Sequence, residues 1–439
     1  MTRPENRRSF IRKSLFGGIS LGALVNAPIE MQLEAATAKV NRLSSPSKLK
    51  ITDMRCVVVS HLGRPCPILR IDTNQGISGY GEVRDGADKR YALILKSRLL
   101  GENPCNVERL FKLLKPHGNH GRLGGGVSGV EMALWDLAGK AYGVPVWQLL
   151  GGRYRDKVRL YADTHADKDF DLIVSKVKNR VENEGFTWLK MTRCSKVIEN
   201  RPEAFTDSFS KQLSPLGVEA IADYLKLIRE TVGSEIAISA DHLGNRSVEN
   251  AIRLGEAFDP VRLAWMEEPV DWRFPEQLKA VSDAIETPVA VGENIYGRET
   301  FQRYCEMGAL DIVHPDLATA GGILETKKIG DYAQDHGIGM AMHYAGTPIS
   351  FMANVHSAAA TENASVLEYH PEGPEIDEWT SMAYLVDGQA LVDNGFAPVP
   401  TAPGLGIELN MDGIRSVLHS EDPLVFPDTS EWDSRPGGY

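Results

Sequence analysis

From residue 158 onward, short β-rich runs alternate with stretches whose apolar residues recur at helical spacing. The runs are Val158–Ala162, Trp188–Thr192, Ile236–Asp241, Leu263–Glu267, Val289–Glu293, Ile312–Asp316, Gly339–His343 and Val366–Tyr369. Between them, segments such as Val248–Phe258 and Pro275–Ile285 carry the 3.6-residue period. Eight strands alternating with helices predict a (β/α) barrel spanning 156–387. A doubly wound open sheet is the competing fold. It wants a glycine-rich phosphate loop after an early strand, and none is present.

The preceding stretch, 50–155, has a different texture and predicts a separate α+β unit. Ile51 to Val59 and Pro67 to Asp72 are β-rich, and Asn74-Gln75-Gly76 is a turn signal before Ile77 to Glu82. Helical periodicity follows at Lys89–Leu99, Val107–Leu114 and Ser128–Tyr142, the last with Val130, Leu134, Leu137 and Ala138 on one stripe and Gly143 as a stop. The glycine-dense Gly121–Gly126 follows no strand and reads as a mobile linker into the Ser128 helix. A terminal segment, 388–439, returns to loop and strand character and is expected to pack back on the first unit.

The first 38 residues do not read as a folded element. Arg7-Arg8-Ser9-Phe10 opens a basic stretch, Leu15 to Ala27 is mildly apolar, and Ala36-Thr37-Ala38 has the small-x-small form of a cleavage site. This looks like a twin-arginine export signal, which predicts a periplasmic or otherwise exported protein; the alternative is a basic tail on a cytoplasmic one. Residues 39–49 read as a linker. No apolar run reaches the 18 residues of a spanning helix. The chain has 439 residues and a formal charge of −11, with no basic tract that would track a phosphate backbone, so nucleic acid is not an expected partner. Five scattered cysteines with no CxxC pair read as free buried thiols rather than a disulfide framework.

The chemistry sits in the polar residues that close the barrel runs. Asp241, Glu267 and Glu293 end three consecutive strands, and in a barrel those ends converge on one mouth. Three converging carboxylates require a cation. An all-oxygen set suits Mg²⁺ or Mn²⁺, and no Cys/His cluster argues for zinc. Asp316 and His343 end neighbouring strands, where a carboxylate–imidazole contact would fix the tautomer and raise the basicity of a general base. Glu368 ends the eighth strand on the other side of His343. Lys190 ends the second and is placed to meet an anionic substrate. Together these parts suit removal of a proton α to a carboxylate, with the metal and Lys190 stabilising the charge that develops.

Several of these elements occur together in one family. Glu267-Glu268-Pro269, Gly292-Glu293-Asn294, Pro315-Asp316 with Gly321-Gly322, and Gly129–Asp136 in combination resemble the enolase superfamily, in its mandelate racemase branch, over about residues 50–410. The resemblance implies a modified TIM barrel with an N-terminal α+β capping domain completed by the C-terminal tail. It implies Mg²⁺ on Asp241, Glu267 and Glu293. It further implies His343 as base with Asp316, and Glu368 hydrogen-bonding the substrate carboxylate. Cap loops around Ser60–Pro67 and Arg84–Lys89 would set specificity, with His61, Arg64 and Arg84 as contacts to a small carboxylate substrate. Family members are commonly homo-oligomers.

The chain departs from the branch in two places. Racemases carry Lys-x-Lys on the second strand, whereas here the run is Lys190-Met191-Thr192, and Thr is a very poor base. Sugar-acid dehydratases of the family often place His or Asn two residues past the metal Asp; here that position is Leu243, and His242 stands one residue early, where strand alternation would turn it away from Asp241 unless the strand has already ended. One base favours dehydration of a sugar acid to a 2-keto-3-deoxy acid. Epimerisation or cycloisomerisation, with Tyr161, Arg193 or Cys194 on the opposite face, is the alternative enzyme. A binding protein on the same scaffold is the non-enzymatic one.

Overall fold

A computed structural model describes residues 45–207, 209–244 and 247–434. The export-signal reading on residues 1–38 lies outside the described residues.

Strand β1 (Ile51–His61) turns through Leu62 and Gly63, both at positive φ, into β2 (Arg64–Thr73), and β2 pairs with β3 (Ser78–Glu82). All three strands are antiparallel, and the two-residue turn fixes the register by setting His61 opposite Arg64. Helix α1 (Gly125–Tyr142) packs on this sheet. It is buried on nearly every side, which marks a helix held between two layers rather than an amphipathic surface helix.

The glycine-dense stretch corrects one expectation. Gly125 and Gly126 are the buried first turn of α1, not a linker. A Cβ on Gly125 would come within 2.7 Å of the backbone and Cβ of Arg84, and one on Gly126 would meet the carbonyl of Tyr91. These glycines permit close backbone approach. The single helix expected over Lys89–Leu99 is two short ones, Arg90–Leu93 and Lys96–Leu99.

The barrel strands are β4 (Lys157–His165), β5 (Trp188–Thr192), β6 (Ala237–Ala240), β7 (Trp265–Glu267), β8 (Val289–Val291), β9 (Ile312–Val313), β10 (Gly339–Met342) and β11 (Ala364–Tyr369). They are parallel and paired in chain order, and Leu367 of β11 returns to Leu160 of β4 to close the ring. Helices α2 (Phe170–Glu182), α3 (Pro215–Val232), α4 (Val248–Phe258), α5 (Pro275–Ser282), α6 (Arg298–Met307), α7 (Ile323–Asp335) and α8 (Pro348–Ala360) fall between successive strands. Period-two alternation separates the two faces of the strands. Leu160, Ala162, Leu189 and Met191 join the large core cluster, whereas Tyr161, Trp265, Ala290, Ala341 and Val366 pack with one another in a separate one. Tyr161 meets Trp265 edge-on at 5.4 Å.

After β11 come helix α9 (Glu375–Ser381) and strand β12 (Ala383–Leu385). The tail then adds β13 (Phe396–Pro398), antiparallel to β4, and β14 (Ile407–Leu409), antiparallel to β12. It reaches the first sheet as well: Ser60 N–H donates to Val417 O at 2.7 Å and His419 N–H to Val58 O at 2.9 Å.

The acids of the Gly129–Asp136 segment tie these layers together. Glu131 accepts from Ile323 N–H at 2.6 Å, Leu324 N–H at 3.1 Å and Trp135 Nε1–H at 2.7 Å. Two of those donors open α7, where a carboxylate answers the unpaired N–H groups of a helix N-terminus. Asp136 accepts from Tyr80 N–H at 2.9 Å in β3 and from Leu405 N–H at 2.8 Å in the tail. Glu131→Ala would leave buried donors unpaired, at about 1–3 kcal/mol each. Urea denaturation should show a loss of about 2–4 kcal/mol, and a loss under about 1 kcal/mol would remove Glu131 from the cap–barrel joint.

Candidate active site

The barrel strands are short, so most of the chemical residues lie at or just beyond the last paired position. Four of these ends turn sharply. Arg193 follows β5 at φ 57°, His242 follows β6 at φ 51°, Glu268 follows β7 at φ 40°, and Gly292 follows β8 at φ 152°. At Gly292 a side chain would also come within 2.6 Å of Phe301 and 2.9 Å of the His314 backbone. Non-glycine residues in the left-handed region are unfavourable and persist where the surroundings impose them. Here they let the residue before or after each turn project into the mouth.

Asp241, Glu267 and Glu368 share Lys190. Its Nζ lies 3.3 Å from Asp241 Oδ2, 3.4 Å from Glu267 Oε1 and 2.7 Å from Glu368 Oε1. Glu293 instead meets His343, with Oε2 at 2.8 Å from Nε2. Burial alone would raise each carboxyl. The Lys190 ammonium outweighs it for Asp241 and Glu368, and the His343 imidazole does so for Glu293, so all three titrate below the ordinary carboxylate range. The Lys190 ammonium is desolvated too, yet Glu267 and Glu368 hold it well above its ordinary value, so it stays charged.

His343 Nδ1 lies 2.8 Å from Asp316 Oδ2, and Asp316 Oδ1 accepts from Thr319 N–H at 3.0 Å. Asp316 thereby caps the short helix Leu317–Ala320 and accepts the hydrogen bond of Nδ1–H, leaving Nε2 toward Glu293. Burial opposes the charged imidazole, but Glu368 and Glu293 outweigh it, so His343 titrates well above its ordinary value.

Beneath these groups, Tyr161 Oη donates to Glu368 Oε2 at 2.9 Å and lies 2.8 Å from His314 Nε2. His314 Nδ1 stands 3.3 Å from Glu267. Among the described residues, His343, Glu368 and His370 form a group with one ligand atom each, all within 4.8 Å of one another, close enough to hold a metal ion.

A cavity of about 450 Å³ opens above these strand ends. His61 and Arg64, at the tip of the β1–β2 turn, line it together with Lys190, Asp241, Glu293 and His343. Burial drives His61 down to about 4, so its imidazole is neutral, and its Nε2 has no hydrogen-bond partner.

Three expectations change. Arg84 does not line the cavity; it is 1% exposed, with Nη1 bonded to Asp316 Oδ2, 3.3 Å from Asp85 Oδ1 and 3.3 Å from His343 Nδ1. The two acids draw its guanidinium under the base instead of toward a substrate. His242, expected to point away, faces the cavity because β6 has already ended at Ala240. Its Nδ1 lies 3.0 Å from Asp241 Oδ2 and 2.9 Å from Thr192 Oγ1. Of the three groups considered for the opposite face, only Arg193 lines the cavity. Tyr161 is buried under Glu368, and the Cys194 thiol is buried on Met191 O at 3.1 Å. All five cysteines are free, four of them buried.

The residue-level reading missed Asp163, His165 and His370, which also line the cavity. The signal was available: Tyr161, Asp163 and His165 alternate along β4, and His370 follows Glu368 by two, so all share the inward period. Glu372, Glu375, Glu378 and Arg122 complete the wall without any such signal.

Comparisons with known proteins agree with this architecture. The enolase C-terminal domain-like family model matches residues 172–413, and the mandelate racemase/muconate lactonizing enzyme N-terminal domain model matches 34–151. The chain is 32% identical over 383 residues to a D-xylonate dehydratase of Haloferax volcanii, covering 85% of this chain and 90% of that one. It is 32% identical over 357 residues to a D-galactonate dehydratase of Verminephrobacter eiseniae, covering 78% and 88%. Among solved structures, a mandelate racemase/muconate lactonizing enzyme-like protein of Rubrobacter xylanophilus is similar at TM-score 0.78 and 30% identity, covering 85% of this chain and 98% of that one. The 3,6-anhydro-D-galactonate cycloisomerase of Zobellia galactanivorans is similar at 0.72 and 26%, covering 84% and 100%.

The placement of Arg84 carries its own prediction. Replacing Arg84 with Met removes the buried positive charge between Asp316 and Asp85, and breaking such a pair from one side costs about 3–5 kcal/mol. Chemical denaturation of the Arg84→Met protein should show a loss of that order. A loss below about 1 kcal/mol would mean that Arg64 and Arg122 alone satisfy Asp85.

Proposed function

Because the chain belongs to the enolase superfamily, in its mandelate racemase/muconate lactonizing branch, we propose that it removes the proton α to the carboxylate of a sugar acid and expels the β-hydroxyl, giving a 2-keto-3-deoxy acid. One observation carries the reading: an Asp-oriented imidazole, His343, presents Nε2 into a cavity whose floor is built of carboxylates.

The chemistry of the floor suits a divalent ion, although among the described residues Asp241, Glu267 and Glu293 do not draw together as closely as His343, Glu368 and His370. Asp241, Glu267, Glu293 and Glu368 are four carboxylates meeting one lysine and one histidine, so negative charge exceeds what the protein neutralises. The oxygen-only set of Asp241, Glu267 and Glu293 suits a hard cation, Mg²⁺ or Mn²⁺. His343, Glu368 and His370 would make a softer set and would consume the base. A metal on the three acids supplies positive charge where the substrate carboxylate gathers electron density.

The chain's own residues do the rest. Asp316 holds Nδ1–H, so Nε2 is the nitrogen that accepts the α-proton once the ring is neutral, and a cation held on Glu293 would offset the negative charge that favours the protonated ring. Lys190 keeps a fixed ammonium among the acids and is placed to face an incoming carboxylate. His61, neutral, and Arg64 line the side of the cavity formed by the β1–β2 turn and suit polar recognition of hydroxyls; a mandelate-like substrate would want an apolar lid. Two dehydratases of sugar acids among the relatives support the same class. Cycloisomerisation draws support from the Zobellia enzyme, but Thr192 supplies no second base at the position of the racemase lysine.

Two measurements test these roles. Glu293→Gln should weaken Mg²⁺ binding, since a neutral amide is a poorer ligand than a carboxylate; calorimetry showing unchanged affinity would remove Glu293 from the ligand set. His343→Asn should stop both turnover and α-deuterium wash-out, a fall of about 10²–10⁴-fold or more. Asp316→Asn should fall short of that because Nε2 keeps its lone pair, and Thr192→Ala should change the rate least. Wash-out that survives in His343→Asn but fails in Thr192→Ala would put the base on the other face.

A further inference from the structure

The mouth holds a second imidazole–carboxylate pair that the proton abstraction at His343 does not use. His370 Nδ1 lies 3.0 Å from Asp163 Oδ2. Asp163 is 4% exposed, and Arg180 Nη2 donates to its backbone carbonyl at 3.1 Å. The carboxylate fixes the Nδ1 proton, so Nε2 is the working nitrogen. That nitrogen has no hydrogen-bond partner, although Glu368 Oε1 is 3.4 Å away. His370 lines the cavity beside His343, their ring centroids 6.2 Å apart, with a ring nitrogen of each within 4.8 Å of the other. Glu368 stands between the two imidazoles, 3.6 Å from His343 Nε2.

Dehydration needs two proton events. One is removal from the α-carbon. The other is delivery to the β-oxygen, because hydroxide is a poor leaving group. Two imidazoles this close, each oriented by its own buried aspartate, can serve adjacent carbons of one substrate. His242 is less suited to the second event. Its Nδ1 is engaged by Asp241 and Thr192, and its side chain is 56% exposed.

We propose that His370, oriented by Asp163, is the acid that protonates the departing hydroxyl; this rests on the dehydratase reading. His343 Nε2 takes the α-proton, and the C–H electron pair moves into the substrate's carboxylate system. That pair then forms the C2–C3 double bond as the C3–O bond breaks toward oxygen. His370 Nε2–H gives its proton to that oxygen, and water leaves. The enol takes a proton at C3 to give the keto acid. His343 ends protonated and His370 neutral, and exchange with solvent through the cavity restores both. Asp163 and His165 of β4, Lys190 of β5, His343 and Tyr344 just past β10, Glu368 of β11, Arg180 of α2 and His61 of β1 are charged or titratable groups around His370. Asp163 and Glu368 favour the protonated ring there, against burial and Lys190.

The test uses the full chain with Mg²⁺ in D₂O, offered D-xylonate, D-galactonate and a wider panel of aldonates and aldarates. α-Deuterium incorporation is followed by NMR and keto acid by a colorimetric assay. With any substrate the wild type dehydrates, His370→Gln should keep α-exchange within about threefold while keto-acid formation falls about 10²–10⁴-fold. Asp163→Asn should lower keto-acid formation less and also spare exchange. The decisive arm is the 3-deoxy-3-fluoro analogue, whose fluoride departs without a proton. His370→Gln should release fluoride within about threefold of wild type, which a merely structural role would not permit.

Dehydration by His370→Gln at near wild-type rate overturns the assignment and leaves the dehydratase reading standing. Loss of α-exchange and fluoride release together also overturns it, as does loss of Mg²⁺ affinity by calorimetry, which would make His370 a metal ligand. If the wild type forms no keto acid from any panel member, the dehydratase reading fails, and the assignment with it.

Discussion

Four carboxylates buried at one end of a closed barrel are the constraint on which the rest of the site depends. Asp241, Glu267, Glu293 and Glu368 come from four strands, and no arrangement of the ring can move one without moving its neighbours. Burying so much like charge is unfavourable unless positive charge is brought to the same place. The protein brings two partners to them, the Lys190 ammonium from β5 and the His343 imidazole just past β10, and each contacts more than one of the acids. This pairing holds Asp241, Glu293 and Glu368 below the ordinary carboxylate range, and four carboxylates still outnumber their partners. The proposed affinity for a dication rests on that surplus of carboxylates.

The same constraint explains why the first sheet and its helix are fastened so firmly to the barrel. Arg84 stands just past β3, yet its guanidinium lies within the barrel mouth on Asp316 and Asp85. A base needs an orienting acid, and that acid needs a partner once it is buried. Here the partner comes from outside the barrel. Glu131 and Asp136 on α1 serve the seam itself, by taking up N–H groups of α7, β3 and the tail. Residues that look like one sequence signature therefore have two different roles. Glu293, Asp316 and His343 face chemistry, whereas the Gly129–Asp136 segment holds two layers together.

Much of this was legible in the chain. Strand-to-helix alternation marked all eight barrel strands, and the polar residues closing most of those runs pointed to the mouth. What stayed hidden has physical reasons. His242 was placed by alternation, but alternation stops when pairing stops, and β6 ends at Ala240. Arg84 carries no periodic signal, because a loop residue's reach depends on a contact made far away in sequence. Gly125 and Gly126 look like flexibility to a composition reading, although their small size is what allows α1 to approach Arg84 and Tyr91. Asp163 and His370 were readable by period-two spacing from Tyr161 and Glu368, but neither closes a run, so strand ends alone did not reveal them.

The division between layers also limits how selectivity can change. The cavity wall at the β1–β2 turn, His61 and Arg64, sits on a hairpin tip whose register is set by a two-residue turn. Exchanging His61 leaves the ion pairs around the acids in place. Arg84 cannot be treated in the same way, since it contacts both the base pair and Asp85, and Asp85 in turn holds Arg64 at 2.7 Å and Arg122 at 3.0 Å. A change of substrate contact at Arg64 is thus felt at Asp85, and through Arg84 at Asp316. Arg64 on the cavity wall is linked through Asp85 and Arg84 to Asp316, the acid that holds the His343 ring. Under the proposed chemistry, recognition and proton abstraction are separated by strand but coupled by charge.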